Sequence, residues 1–182
     1  MGTEAVTRAD VAGDAVRRLT RWCDDFPAPG IRFADLTPVF ADADGFTAVI
    51  DAITQAAPDA DLVAGIDARG FLLGSGVALR LGSGVLAVRK AGKLPPPVLS
   101  RSYDLEYGSA CLEIPGDGID LQGKRVLVVD DVLATGGTLV AAADLLTDAG
   151  ADVIALAVVL ELAELGGRDR VGKYPLTSLV QI

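Results

Sequence analysis

The residues best equipped for chemistry form a single run, Val126-Leu127-Val128-Val129-Asp130-Asp131-Val132-Leu133-Ala134-Thr135-Gly136-Gly137-Thr138. Its apolar start reads as a buried strand that delivers two carboxylates at its C-terminal end, the place where open α/β sheets bind ligands. The next five residues, Ala134 to Thr138, are all small or hydroxylic and lead into a helical pattern over about 138–149. Unpaired amides at a helix start, the helix dipole and two threonine hydroxyls make a socket for one phosphate group. Gly136 and Gly137 let the backbone wrap an anion without Cβ interference. Two carboxylates beside a phosphate socket make electrostatic sense when hydroxyls separate them from the ligand's charge. A ribose 5-phosphate meets that condition, with Asp130 and Asp131 accepting from its 2′- and 3′-hydroxyls.

Three further segments could contribute. From Arg69 to Arg101 there are six basic residues (Arg69, Arg80, Arg89, Lys90, Lys93, Arg101) and no carboxylate, in a chain of net charge −9. Such a local excess points to a small anionic ligand. Nucleic acid is disfavoured, because that segment has one aromatic, Phe71, and the whole chain would repel a polyanion. Asp67-Ala68-Arg69-Gly70 is a tight turn at another strand end, which would put a second anion site at the same sheet edge. Tyr103-Asp104-Leu105-Glu106-Tyr107-Gly108 sets Glu106 among aromatics, where an apolar neighbourhood raises a carboxyl pKa toward the working range of an acid–base. Plain readings exist for each: a solvated basic loop, a capping turn, an alternating strand.

Absences narrow the chemistry. The chain has no His and no Asn, so Ser-His-Asp and Cys-His catalysis and His-ligated metals are excluded. Cys23 and Cys111 are far apart and read as packed thiols. Gly82–Ala87 loosely matches a dinucleotide pattern but falls between a helix and a strand, the wrong order, and no Walker A loop is present.

The elements that must hold these residues alternate. A first helix is expected over 9–23, a turn at Pro27–Gly30, an extended piece at Ile31–Phe33, and a second helix through Phe46, Val49, Ile50, Ile53 and Ala57 capped by Asp44. Strands follow at Leu62–Ile66, Val85–Val88, Val126–Val129, Val153–Leu160 and Leu176–Val180, with a helix at Phe71–Leu81 ended by Gly82. Continuous apolar strands alternating with helices predict an α/β fold, a parallel sheet with helices on both faces. Ala91–Ser102, with three consecutive prolines, reads as a mobile loop. At 182 residues and 51% hydrophobic composition, one domain spanning 1–182 is expected. The longest apolar run, Val153–Leu160, is far short of a membrane span, and the N-terminus has no signal-peptide core and no myristoylation pattern, so a cytoplasmic location is expected.

Taken together these segments resemble the type I phosphoribosyltransferases, and within them the adenine branch. The run at Val128–Thr138 is similar to the phosphoribosyl-diphosphate signature of that superfamily. The adenine branch is suggested by Phe26–Ile31, Asp67–Phe71, Arg89–Pro95 and Tyr103–Gly108, four ordered matches across roughly residues 26 to 165. The resemblance implies a small N-terminal hood over the base, and transfer of ribose 5-phosphate from phosphoribosyl diphosphate to adenine N9 with Mg²⁺, giving AMP and diphosphate. It implies that Ala134, Thr135, Gly136, Gly137 and Thr138 hold the 5′-phosphate and that Asp130 and Asp131 meet the ribose. Ala68, Arg69 and Gly70 would hold diphosphate, with Lys90 and Lys93 on or beside a closing loop. Arg89 would lie near the partner's site in a homodimer. The base would lie against the backbone of Arg32 and Ala34 and under Glu106, the acid–base. The family usually has an apolar residue at position 32 and Arg at 34. Recognition through backbone groups tolerates that change, whereas recognition through an Arg side chain would alter base selectivity. The same fold could serve xanthine, guanine or hypoxanthine, or sense phosphoribosyl diphosphate without catalysis; Glu106 and the basic loop argue against a sensor.

Overall fold

A computed structural model describes residues 7–105 and 108–182. The first helix, α1 (Arg8–Leu19), is opened by a capping box between Thr7 and Asp10. Two short strands, β1 (Arg21–Cys23) and β2 (Phe33–Asp35), pair antiparallel as a separate two-stranded hood. Helices α2 (Thr37–Ala41) and α3 (Ala43–Thr54) lead to β3 (Leu62–Ile66), α4 (Arg69–Leu81) and β4 (Gly84–Lys90). A hairpin, β5 (Val98–Leu105) and β6 (Gly108–Pro115), precedes β7 (Arg125–Leu133), α5 (Gly137–Asp148) and β8 (Asp152–Glu161). A 3₁₀ turn, α6 (Gly167–Val171) and β9 (Leu176–Gln181) complete the described chain.

The main sheet has seven strands in the order β5-β6-β4-β3-β7-β8-β9. Pairs from β4 through β9 are parallel, while β6 joins β4 and β5 antiparallel, so the sheet is mixed and its parallel part is the centre. One apolar layer packs Val16, Ile53, Leu73 and Val77 of α1, α3 and α4 against Val63, Leu127 and Val129. The opposite layer packs Leu139, Ala142 and Leu146 of α5 against Ile66, Val88, Val128 and Leu156. Burial on both faces explains why the central strands read as unbroken apolar runs. Each fully buried Leu in these layers contributes about 1.5–3 kcal/mol of transfer free energy.

Four expectations need correction. The first helix ends at Leu19, where Thr20 is extended and bonds its hydroxyl to the Val16 carbonyl at 2.6 Å. Cys23, at helical spacing in sequence, is drawn instead into the hood ladder opposite Phe33. The cap of α3 is Asp42, whose carboxylate accepts from Gly45 N at 2.7 Å, while Asp44 sits in the first turn. The supposed loop at Ala91–Ser102 is loop only to Pro97, because Val98–Leu105 pairs along its whole length with β6. That ladder is a long-range contact, invisible to local periodicity, and it is also why the sheet is not wholly parallel. Asp130 and Asp131 lie within β7 rather than after it, since β7 continues to Leu133 beside β8.

Candidate active site

The phosphate-socket candidate begins where β7 stops. Leu133 is buried, and the chain then turns through Ala134, Thr135 and Gly136 into α5. Gly136 adopts φ +79°, and a Cβ there would lie 2.7 Å from the Gly167 carbonyl oxygen, so close packing against α6 requires glycine. No side chain caps α5, which leaves its first-turn amides for an incoming anion. Asp130 and residues 132–139 line a recess of about 80 Å³ at this point. The Thr138 hydroxyl donates to the Tyr103 phenol oxygen at 3.2 Å.

Beside the recess are the two carboxylates. Asp130 Oδ1 accepts from the Asp131 amide at 2.9 Å. Asp131 is 6% exposed, and its buried Oδ2 lies 2.7 Å from Arg69 Nε, off the line of a hydrogen bond. Burial pushes the Asp130 carboxyl well above the ordinary carboxylate range, and the neighbouring Asp131 charge raises it further. Asp131 is also raised by burial, with Arg69 pulling it partly back. An Asp131 oxygen buried without a partner, beside an Asp130 that lines the same cleft, forms a site that gains from a ligand rich in hydroxyls.

The Asp67–Gly70 turn lies directly on the sheet. A Cβ on Gly70 would meet the Val129 carbonyl oxygen at 2.8 Å, so only glycine lets the turn approach β7 this closely. Ala68 and Arg69 line a cleft of about 870 Å³ with Asp130, Asp131, Lys90 and Phe33. Arg69 joins three parts of the cleft: it pairs with Asp131, donates through Nη1 to the Ala34 carbonyl at 3.4 Å, and stacks 5.2 Å from the Phe33 ring. Phe33 is also edge-on to Phe26 at 5.1 Å, so the hood presents an aromatic wall.

The basic segment does not converge as a unit. Arg69 and Lys90 line the cleft, and Arg89 Nε lies 3.7 Å from Asp67 at its edge. Arg89 also donates to the Lys93 carbonyl at 3.1 Å. Arg80 turns away to Asp51, and Arg101 to Asp144 and Asp148 on α5. Arg32 does not line the cleft; its guanidinium stacks 4.4 Å over Trp22 and lies 3.7 Å from Asp24. Ala34 is buried, with its carbonyl facing Arg69. Glu106 and Tyr107 lie outside the described residues. Sequence reasoning passed over Phe33, Arg21 and Asp35, which all line the cleft. Arg21 pairs with Asp35 at 2.8 Å across the hood ladder, and Asp35 accepts from the Thr37 amide at 2.9 Å. The only signal for Phe33 was an aromatic beside a Pro-Gly turn, too common to single out.

A mixed α/β sheet with an acid pair and a small-residue helix start at its carboxyl edge defines a phosphoribosyltransferase-type domain. Residues 40–180 match the family described as the phosphoribosyl transferase domain. The adenine phosphoribosyltransferase of Nocardia farcinica is 70% identical over 175 residues, covering 96% of this chain and 92% of its own. The crystal structure of adenine phosphoribosyltransferase from Thermoanaerobacter pseudethanolicus superposes with a TM-score of 0.88 at 43% identity, covering 93% of this chain and 99% of that one. The Saccharomyces cerevisiae enzyme, solved with an imino-altritol bisphosphate and adenine, gives 0.86 at 36% identity over 93% and 98%. The chain belongs to the adenine phosphoribosyltransferase family.

Proposed function

We propose that this chain transfers the 5-phosphoribosyl group of phosphoribosyl diphosphate to N9 of adenine. The C1′–N9 bond forms, the C1′ bond to diphosphate breaks, and the N9 proton leaves. The observation that carries this reading is that Asp130, Asp131, Thr138 from the uncapped start of α5 and the Phe33 wall line one cleft. In it, the amides and hydroxyls of Ala134–Thr138 take the 5′-phosphate, and Asp130 and Asp131 accept from the ribose hydroxyls. Ala68, Arg69, Gly70 and Lys90 take the diphosphate, with Lys93 on the adjoining loop. Charge building on the sugar as the diphosphate departs is stabilised by the fixed carboxylates, and alignment of base and sugar supplies the rest.

Adenine would lie in the cleft against Phe33, read by the backbone of β2. What supports backbone reading is that Arg32 is committed to Trp22 and position 34 is alanine. Glu106 keeps the role of proton acceptor by resemblance. The donor set suits Mg²⁺: two adjacent carboxylates, one with a buried oxygen that has no partner, fit a cation held mainly by substrate oxygens and water. Asp130 and Asp131 would lie beside it, and when bound it offsets charge on the diphosphate. Pairing as a homodimer, with Arg89 toward the partner's site, is supported by Leu72, Leu79 and Val85, apolar side chains exposed on α4 and β4. Among the described residues no helix is long and apolar enough to cross a membrane. The test is direct. With phosphoribosyl diphosphate and Mg²⁺ supplied, AMP and diphosphate should form with adenine and not with guanine, hypoxanthine or xanthine. A preference for another base would overturn the assignment of adenine.

A further inference from the structure

We propose that Tyr103 transmits occupancy of the phosphate socket to the β5–β6 hairpin, as a positioning residue for the transfer. The inference rests on reading Ala134–Thr138 as the 5′-phosphate socket. Among the described residues, polar side-chain contacts tie the hairpin to α5 at two points. Near the end of α5, Arg101 pairs with Asp144 at 2.9 Å and Asp148 at 2.6 Å. Asp144 is also held by Lys173 at 2.9 Å and by the Tyr174 hydroxyl at 2.8 Å. This is an ionic anchor remote from the socket, and no substrate atom needs its groups. At the start of α5, two residues further along β5, the contact is a single bond between two hydroxyls, Thr138 to Tyr103. Residues two apart on a strand share a face, so both contacts lie along one edge of the hairpin.

A hydroxyl donates one proton and accepts through its lone pairs. In the structure the Thr138 hydroxyl donates to Tyr103. A phosphate dianion in the socket is a stronger acceptor, because a charge-assisted bond exceeds a neutral one. Thr138 then turns its proton to the phosphate, and its lone pair accepts the Tyr103 phenolic proton. The bond reverses direction and is polarised by the anion, which tightens it. Tyr103 is half-buried, packs on the apolar layer under α5, and pairs with Ala110 across the hairpin. The tightened bond therefore holds the β5–β6 ladder, and the chain reaches Glu106 three residues on. Phenylalanine at position 103 would keep the packing and remove the relay.

The test is amide hydrogen exchange on wild type and Tyr103→Phe, with ribose 5-phosphate as the probe. In wild type the ligand should slow exchange in 134–139 and also in 98–105 and 108–115. In Tyr103→Phe the slowing in 134–139 should persist, and that in the hairpin should vanish. With phosphoribosyl diphosphate and adenine, kcat should fall about fivefold, the size of one neutral hydrogen bond, while KM for phosphoribosyl diphosphate stays within about twofold. Hairpin protection by ligand that is equal in both proteins would overturn the proposal. So would a hairpin that exchanges faster in the variant without ligand and gains the wild-type increment with it, since that is a packing defect. No slowing in 134–139 of wild type would remove the socket reading, and the coupling with it.

Discussion

Two neighbouring strands of the central sheet carry acids toward their C-terminal ends, and the surroundings of those acids are opposite. Glu161, at the end of β8, is 2% exposed and fully partnered. Arg168 embraces it with both Nε and Nη2, and the Ser178 hydroxyl donates to it at 2.6 Å. Those bonds hold its carboxyl below the ordinary value. On neighbouring β7, Asp131 faces one misaligned guanidinium and Asp130 accepts one backbone amide, and both carboxyls are pushed up. The fold satisfies a buried carboxylate one strand away from the place where it leaves an Asp131 oxygen buried without a partner. A deficit of that kind costs stability and is filled by a ligand that brings donors. On the proposed function, Glu161 is a structural acid and the Asp pair a binding one.

The largest effect should come from the Asp pair. Replacing either Asp130 or Asp131 with Asn should lower kcat/KM for phosphoribosyl diphosphate about 10- to 100-fold, the worth of a charge-assisted hydrogen bond. Titration calorimetry should show affinity for free adenine unchanged. Equal losses for adenine would mean the carboxylates shape the whole cleft rather than hold the ribose. The matching change at β8, Glu161→Gln, should leave the kinetics within about twofold and lower stability by about 1–2 kcal/mol, limited because Arg168 is half exposed. That is a fall in Tm of about 2–8 °C by calorimetry.

The pH dependence of these variants sharpens the contrast, because the signs differ. The depressed Glu161 carboxyl contributes stability above its unfolded value of 4.5, and that stability is lost as pH falls through the folded value. Wild type should thus exceed Glu161→Gln in Tm at neutral pH, with the gap closing in acid. The raised Asp130 carboxyl does the reverse. Its charge penalty is absent below the unfolded value of 3.8 and grows as pH rises toward the folded value. Wild type and Asp130→Asn should therefore converge in acid and separate at neutral pH, with the variant the more stable. The smallest effect belongs to Arg32→Ala. Its side chain stacks on Trp22 outside the cleft, so KM for adenine should change less than about twofold, and the order of base preference not at all.

Much of this was written in local sequence. The unbroken apolar strands, the turn at Gly70 and the small-residue start of α5 each follow from a short-range physical requirement, and the structure brings Asp67–Gly70 and Asp130–Thr138 to one edge. What could not be read were the long-range pairings. The β5–β6 ladder gives no periodic signal in a proline-rich stretch, and the hood strands are three residues each. The basic run misled for the same reason. Its shared sequence interval concealed that Arg80 and Arg101 serve distant carboxylates on α3 and α5.

The most direct measurement is a pair of thermal scans at neutral pH, with and without saturating ribose 5-phosphate, on wild type and Asp130→Asn. Asn can still accept from the Asp131 amide, so the substitution removes charge and little else. The variant should melt higher than wild type without ligand and lose most of the ligand-induced rise. A variant that melts lower and keeps the full rise would show that Asp130 is a structural acid like Glu161, and that the ribose hydroxyls are held elsewhere.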